Sequence, residues 1–152
     1  VATSREGIVH VWEVETTNNR LSFEAKAGGR GLALSPDGKV LATSGHPFGA
    51  ENSIWLWSTE TGEPLAELEG HKQGVVSLAF ADDGKTLASS SDDSTLKFWH
   101  LATSQELLSI RNVGTTLDHL RFSPDGQWLV GDVGGFFTQS EEMHLFHAPH
   151  RK

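Results

Sequence analysis

The stretch Gly70-His71-Lys72-Gln73-Gly74-Val75-Val76-Ser77-Leu78-Ala79-Phe80 decides the fold, together with its continuation Asp82-Asp83-Gly84, Leu87-Ala88-Ser89-Ser90-Ser91, Asp92-Asp93-Ser94 and Thr95-Leu96-Lys97-Phe98-Trp99. The turn signals Asp82-Asp83-Gly84 and Asp92-Asp93-Ser94 cut it into three short runs of strand-like composition. In the first run Val76, Leu78 and Phe80 are expected on one face, with Ser77 and Ala79 on the other. Such a strand is covered on both sides, with small residues on one of them. Long helices find no support anywhere in the chain.

Working outward, the same features return at a fixed spacing. Pro36-Asp37-Gly38, Asp82-Asp83-Gly84 and Pro124-Asp125-Gly126 place their middle residues 46 and then 42 positions apart. Trp12, Trp57, Trp99 and Phe146 close strand-like runs with gaps of 45, 42 and 47. Each turn has a mechanical reason: Pro36 presets φ, Asp37 bonds back to the backbone, and Gly38 takes the left-handed conformation that closes the hairpin. Two independent markers therefore share one period, which points to a repeated unit of short strands.

A Gly-His start, a closing tryptophan and an aspartate six residues before it resemble the WD-repeat β-propeller family, whose units run about 40 to 45 residues. The resemblance implies an all-β chain of propeller blades, each of four antiparallel strands, with about three and a half blades present. The expected units are 1–25, lacking its innermost strand, then 26–69, 70–111, and 112–152, lacking its outer strand. Because such propellers usually close with about seven blades, the chain is expected to be the C-terminal portion of a ring whose N-terminal blades lie elsewhere. An arc of this kind leaves broad apolar faces and strand edges to be covered.

Composition narrows the function. The 152 residues carry 12 Lys and Arg against 20 Asp and Glu, a formal charge of −8 that disfavours a nucleic-acid partner. No cysteine is present, so disulfides and thiolate metal sites are excluded. Neither a long apolar run nor a secretory leader is visible, so no membrane association and a cytoplasmic location are expected. His144, His147 and His150 are spaced by three, which places the first two on opposite faces of a strand and argues against a metal. No cofactor is implied.

In the family, a histidine between blades, a hydroxyl in the second strand, an aspartate in the next turn and the tryptophan form a buried relay. Carried onto this chain, the resemblance implies His71, Ser89 or Ser91, Asp93 and Trp99. The alternative is a nucleophile, serine beside an imidazole oriented by a carboxylate. A structural role is preferred because buried polar groups need partners in any case. In the other units Ala25 and Val113 stand in the histidine place.

Two long loops separate second and third strands: one contains Phe48 and Glu51, the other Phe136 and Phe137. Propeller connectivity puts these loops on one rim with Lys72 and Asp92, and that rim commonly meets partners in this family. Arg30, Val76 and Asp118 hold equivalent places four residues before Leu34, Phe80 and Phe122, at the expected mouth of the central channel. The leading reading is a non-catalytic platform for a protein or peptide. A ligand-sensing regulatory domain of a larger polypeptide is the alternative, and a propeller hydrolase or lyase ranks below both.

Overall fold

The structure is a computed structural model that describes residues 2–5, 7–25, 30–44, 52–113, 117–133 and 143–147. Four antiparallel sheets follow one another along the chain. The first holds β1 (Ala2–Arg5), β2 (Ile8–Trp12) and β3 (Asn19–Glu24); the second holds β4 (Leu32–Leu34), β5 (Val40–Ser44), β6 (Ile54–Ser58) and β7 (Pro64–Leu68). The third consists of β8 (Val75–Phe80), β9 (Thr86–Ser91), β10 (Thr95–His100) and β11 (Gln105–Arg111). In the fourth are β12 (Leu117–Phe122), β13 (Trp128–Val133) and β14 (Met143–His147). Within every sheet the strands lie in sequence order, the up-and-down meander of a propeller blade, and about three and a half blades are present. Among the described residues no helix is long and apolar enough to cross a membrane.

The hairpin turns show why the Asp-Gly signal recurs. Gly38, Gly84 and Gly126 all have φ between 63° and 71°, a region that penalises any side chain. Each donates its N–H back three residues, to the carbonyls of Ser35, Ala81 and Ser123. Asp37 accepts from the Ser35 hydroxyl at 2.6 Å and the Lys39 N–H at 3.0 Å, and Asp125 repeats this with Ser123 and Gln127. These hydrogen bonds, the serine's first, hold both carboxyls below the usual aspartate range.

Three apolar clusters lie between the four sheets. Val9, Val11, Ala25, Leu41 and Trp57 fill the first interface. The second holds Ile54, Leu56, Leu68, Val75, Leu78, Phe80, Leu87 and Trp99, and the third holds Ala79, Ala88, Leu96, Phe98, Leu117, Leu120 and Leu129. Neighbouring residues in one strand feed opposite clusters, as with Leu87 and Ala88 or Phe98 and Trp99, because side chains alternate across a pleated sheet. The first strands of successive blades, β4, β8 and β12, pack on one another. Polar bonds also cross this seam: the Leu120 N–H donates to Ser77 Oγ at 2.9 Å, and the Ser90 hydroxyl donates to the Leu117 carbonyl at 2.5 Å.

One expectation about β8 needs correcting. A bulge lets Val75 pair with Ser91 and Ser77 with Ser90, so the extra residue, Val76, breaks the alternation. Val75 therefore joins Leu78 and Phe80 in the core cluster where Val76 was expected. Similar bulges fall just before the closing tryptophan in three sheets, at Val11/Trp12, Leu56/Trp57 and Phe98/Trp99.

The blade junctions are tight. A Cβ on Gly31 would lie 2.9 Å from both Leu78 Cγ and Ser44 Oγ, and Ser44 Oγ already accepts the Gly31 N–H at 2.8 Å. Gly31→Ala is expected to cost about 1–3 kcal/mol by overpacking, read as a lower urea midpoint with an unchanged m-value. An unchanged midpoint would show that the junction yields freely.

Candidate functional site

A connected polar network lies where the β7–β8 connection crosses the third blade. The Trp99 indole N–H donates to Ser89 Oγ at 2.8 Å, and Ser89 Oγ lies 2.7 Å from His71 Nε2. On the other side of the ring, His71 Nδ1 lies 3.0 Å from Thr95 Oγ1 and 3.3 Å from Asp93 Oδ2. Asp93 in turn accepts the Lys72 N–H at 2.7 Å and both the N–H and the hydroxyl of Thr95. The order of donors is consistent if Ser89 donates to Nε2 while Nδ1–H donates toward Thr95 and Asp93, an assignment made from this network.

Ser91 takes no part in the chain through the imidazole. Its hydroxyl donates to the Gln73 carbonyl at 3.0 Å and accepts the Asp93 N–H at 3.1 Å, which secures the Asp93 turn. Between the two serines considered above, Ser89 is the one that meets both His71 and Trp99. Thr95 was not singled out from the sequence; its period-two spacing from Lys97 and Trp99 on β10 was the available signal.

The connectivity hydroxyl to imidazole to carboxylate is that of a nucleophilic triad. Here Ser89 is 0% exposed and its oxygen already accepts the Trp99 N–H, so no substrate atom can approach it. The arrangement instead ties the β7–β8 connection to β9, to β10 and to the turn between them. Comparable positions follow its logic. Trp57 donates its indole N–H to Thr43 at 2.9 Å, whereas Phe146, with no N–H, pairs with Leu129 two places before Gly131, which has no hydroxyl. Ala25 and Val113, in the histidine place of the other units, are buried in the apolar clusters.

Burial pushes the His71 imidazole below its usual range, against the opposing pull of Asp93. For Asp93, burial raises the carboxyl, but the Lys72 N–H and the Thr95 hydroxyl outweigh it and hold it below the usual range. His71 is therefore neutral at pH 7. As pH falls below about 6.5 the unfolded imidazole binds a proton before the folded one does, so stability falls with pH. The Asp93 contribution is present above the unfolded pKa of 3.8 and is lost as pH drops through its lower folded value. The melting temperature is expected to decline between pH 7 and 5, with a smaller slope in His71→Gln. Equal slopes in both proteins would assign the decline elsewhere.

The rim candidates divide. Arg30, Lys72 and Asp92 are exposed, and Asp118 is half-buried. Val76 is buried, so it offers a partner no side-chain surface. Phe48, Glu51, Phe136 and Phe137 lie outside the described residues. Burial raises the Asp118 carboxyl, followed by the opposing charges of His119 and Arg30, which lower it, and of Asp132 and Asp92, which raise it. His119, at φ 49° beside a bulge, meets Asp132 at 3.1 Å. The structure thus brings Arg30 and Asp92 within electrostatic reach of Asp118 and adds His119 and Asp132, which sequence reading had passed over. Among the described residues no group of His, Asp and Glu is spaced to hold a metal ion.

Comparison with known proteins agrees with this architecture. A family model described as WD domain, G-beta repeat matches residues 62–100. The chain is 31% identical over 110 residues to Periodic tryptophan protein 2 homolog of Schizosaccharomyces pombe, covering 70% of this chain and 12% of that one. It is 31% identical over 141 residues to human Apoptotic protease-activating factor 1, covering 88% and 11%, respectively. With Target of rapamycin complex subunit wat1 of S. pombe it shares 35% identity over 104 residues, covering 68% and 32%. The matches thus span between 11% and 32% of the length of these relatives. Repeats of this kind serve in general as platforms for protein contacts. The sheet order, the period and these similarities together place the chain in the WD-repeat β-propeller family.

Proposed function

We propose that the chain is a non-catalytic platform for a protein or peptide, which docks on the rim carrying Arg30, Lys72, Asp92 and Asp118, with further blades completing the ring. The observation that carries this reading is the mixed-charge group of Arg30, Asp92, Asp118, His119 and Asp132, set on a closely packed scaffold. Charges held by a rigid core select a partner's pattern at little ordering cost. Ser89, the candidate nucleophile, is sealed. Phe48, Glu51, Phe136 and Phe137 belong to the same proposed rim by sequence.

The test is affinity capture by the full-length protein, followed by titration of the captured partner. Arg30→Glu, and separately the pair Phe136→Ser with Phe137→Ser, are expected to weaken binding by more than about 2 kcal/mol if these side chains are anchors. The melt should hardly change. Unaltered affinity in both variants would reject the rim as the contact surface. A second reading, a ligand-sensing regulatory domain within a larger polypeptide, gains support from the small fraction of each relative that the chain spans. It predicts that occupying the rim alters an activity carried elsewhere in the polypeptide.

A further inference from the structure

Beside the relay, on the flank of the third blade, lies a polar cavity of about 170 Å³. The register of β10 with β11 builds its wall: Thr95 pairs with Arg111 and Lys97 with Ser109, so four polar side chains form a square on one face. Lys72 and Gly70 from the β7–β8 connection close another side. Gly70 is needed there, since its φ is 154° and a Cβ would come within 3.1 Å of Trp99 Cη2 and 3.4 Å of Glu106 Oε2.

Three cations, Lys72, Lys97 and Arg111, thus converge in a chain whose net charge is −8. Lys97 is already paired with Glu106 at 2.5 Å. Asp93 is occupied by the Lys72 N–H, by Thr95 and by His71. Among the described residues no carboxylate pairs with Lys72 or Arg111. Ser109 Oγ is buried in the wall and has no protein hydrogen-bond partner, an arrangement that proteins normally complete with a bound water or a ligand.

We propose that this cavity binds a single carboxylate, an Asp or Glu side chain of the peptide partner, with Arg111 and Lys72 as the cationic donors and Ser109 as the hydroxyl donor. The proposal rests on the platform reading above and names the chemistry of its partner. Three cations against two carboxylates leave one spare positive charge, which matches a carboxylate better than a phosphoryl dianion. Arg111 can present two parallel N–H donors to such a group.

Ligand-observed saturation-transfer NMR on the full-length protein tests this, using the peptide acetyl-Gly-Glu-Gly-Gly-amide and its glutamine counterpart. The Glu peptide is expected to show saturable transfer at its γ-methylene that weakens as salt rises. Arg111→Gln should lower its affinity at least about tenfold and Ser109→Ala about fivefold, with unchanged melts. Equal binding of the Gln peptide, an unaffected Arg111→Gln variant, or no transfer at all would overturn the proposal. So would inorganic phosphate displacing the Glu peptide at a tenth of its concentration. None of these results bears on Arg30, Phe136 or Phe137, so the cavity and the rim platform can fail separately.

Discussion

Replacing Trp99 with alanine is expected to lower the unfolding free energy by about 3–5 kcal/mol. The indole is 1% exposed and packs in the cluster between the second and third blades with Leu56, Leu68, Val75, Leu78, Phe80 and Leu87. Its removal leaves a cavity on a face that rigid neighbouring sheets cannot collapse to fill, and it also strips Ser89 of a donor. Against a typical domain stability of about 5–15 kcal/mol this is a large share. Urea titration gives the magnitude, and hydrogen exchange along β8, β9, β10 and β11 locates the loss. Trp12→Ala provides the contrast, because Trp12 is 37% exposed and should cost well under half as much. Equal losses at the two positions would mean that the closing aromatic is not what holds the blade to its neighbour.

The next largest effect is expected at Ser89. Its hydroxyl accepts from Trp99 and meets His71, so Ser89→Ala orphans a buried indole N–H and an imidazole nitrogen together, a loss of about 2–4 kcal/mol. The sign of a double-mutant cycle separates hydrogen bonding from packing. Trp99→Phe removes the N–H, so the Ser89→Ala change should cost about 1–2 kcal/mol less in that background. Phe146 beside a strand that carries Gly131 shows the fold already using this pairing of no donor with no acceptor. Strict additivity of the two substitutions would show that the Ser89 to Trp99 bond contributes nothing to stability.

Blade count, strand order and turn positions were legible in the residues because each rests on local chemistry repeated at a period. Asp37, Asp83 and Asp125 close their turns through N–H groups two residues on. Alternation correctly put Leu78 and Phe80 on one face of β8 and Ala79 on the other, but one inserted residue, Val76, reversed the parity that a period-two reading assumes at the start of that strand. Family resemblance brought His71, Asp93 and Trp99 forward but left two serines open; the register of β9 against β10 decided for Ser89.

What the chain determined by itself, then, was a repeating four-stranded unit, since hairpin turns and strand alternation are set within a few residues. Tertiary packing alone decided which polar side chains meet. Lys72, Lys97, Ser109 and Arg111 come from three separate segments, and only the pairing of β10 with β11 beneath the β7–β8 connection gathers them. Arg30, Asp92 and Asp118 likewise stand on three different blades. Contacts between segments distant in sequence leave no periodic trace in the chain, because a charge on an exposed strand face fits the local pattern equally well wherever its partner lies.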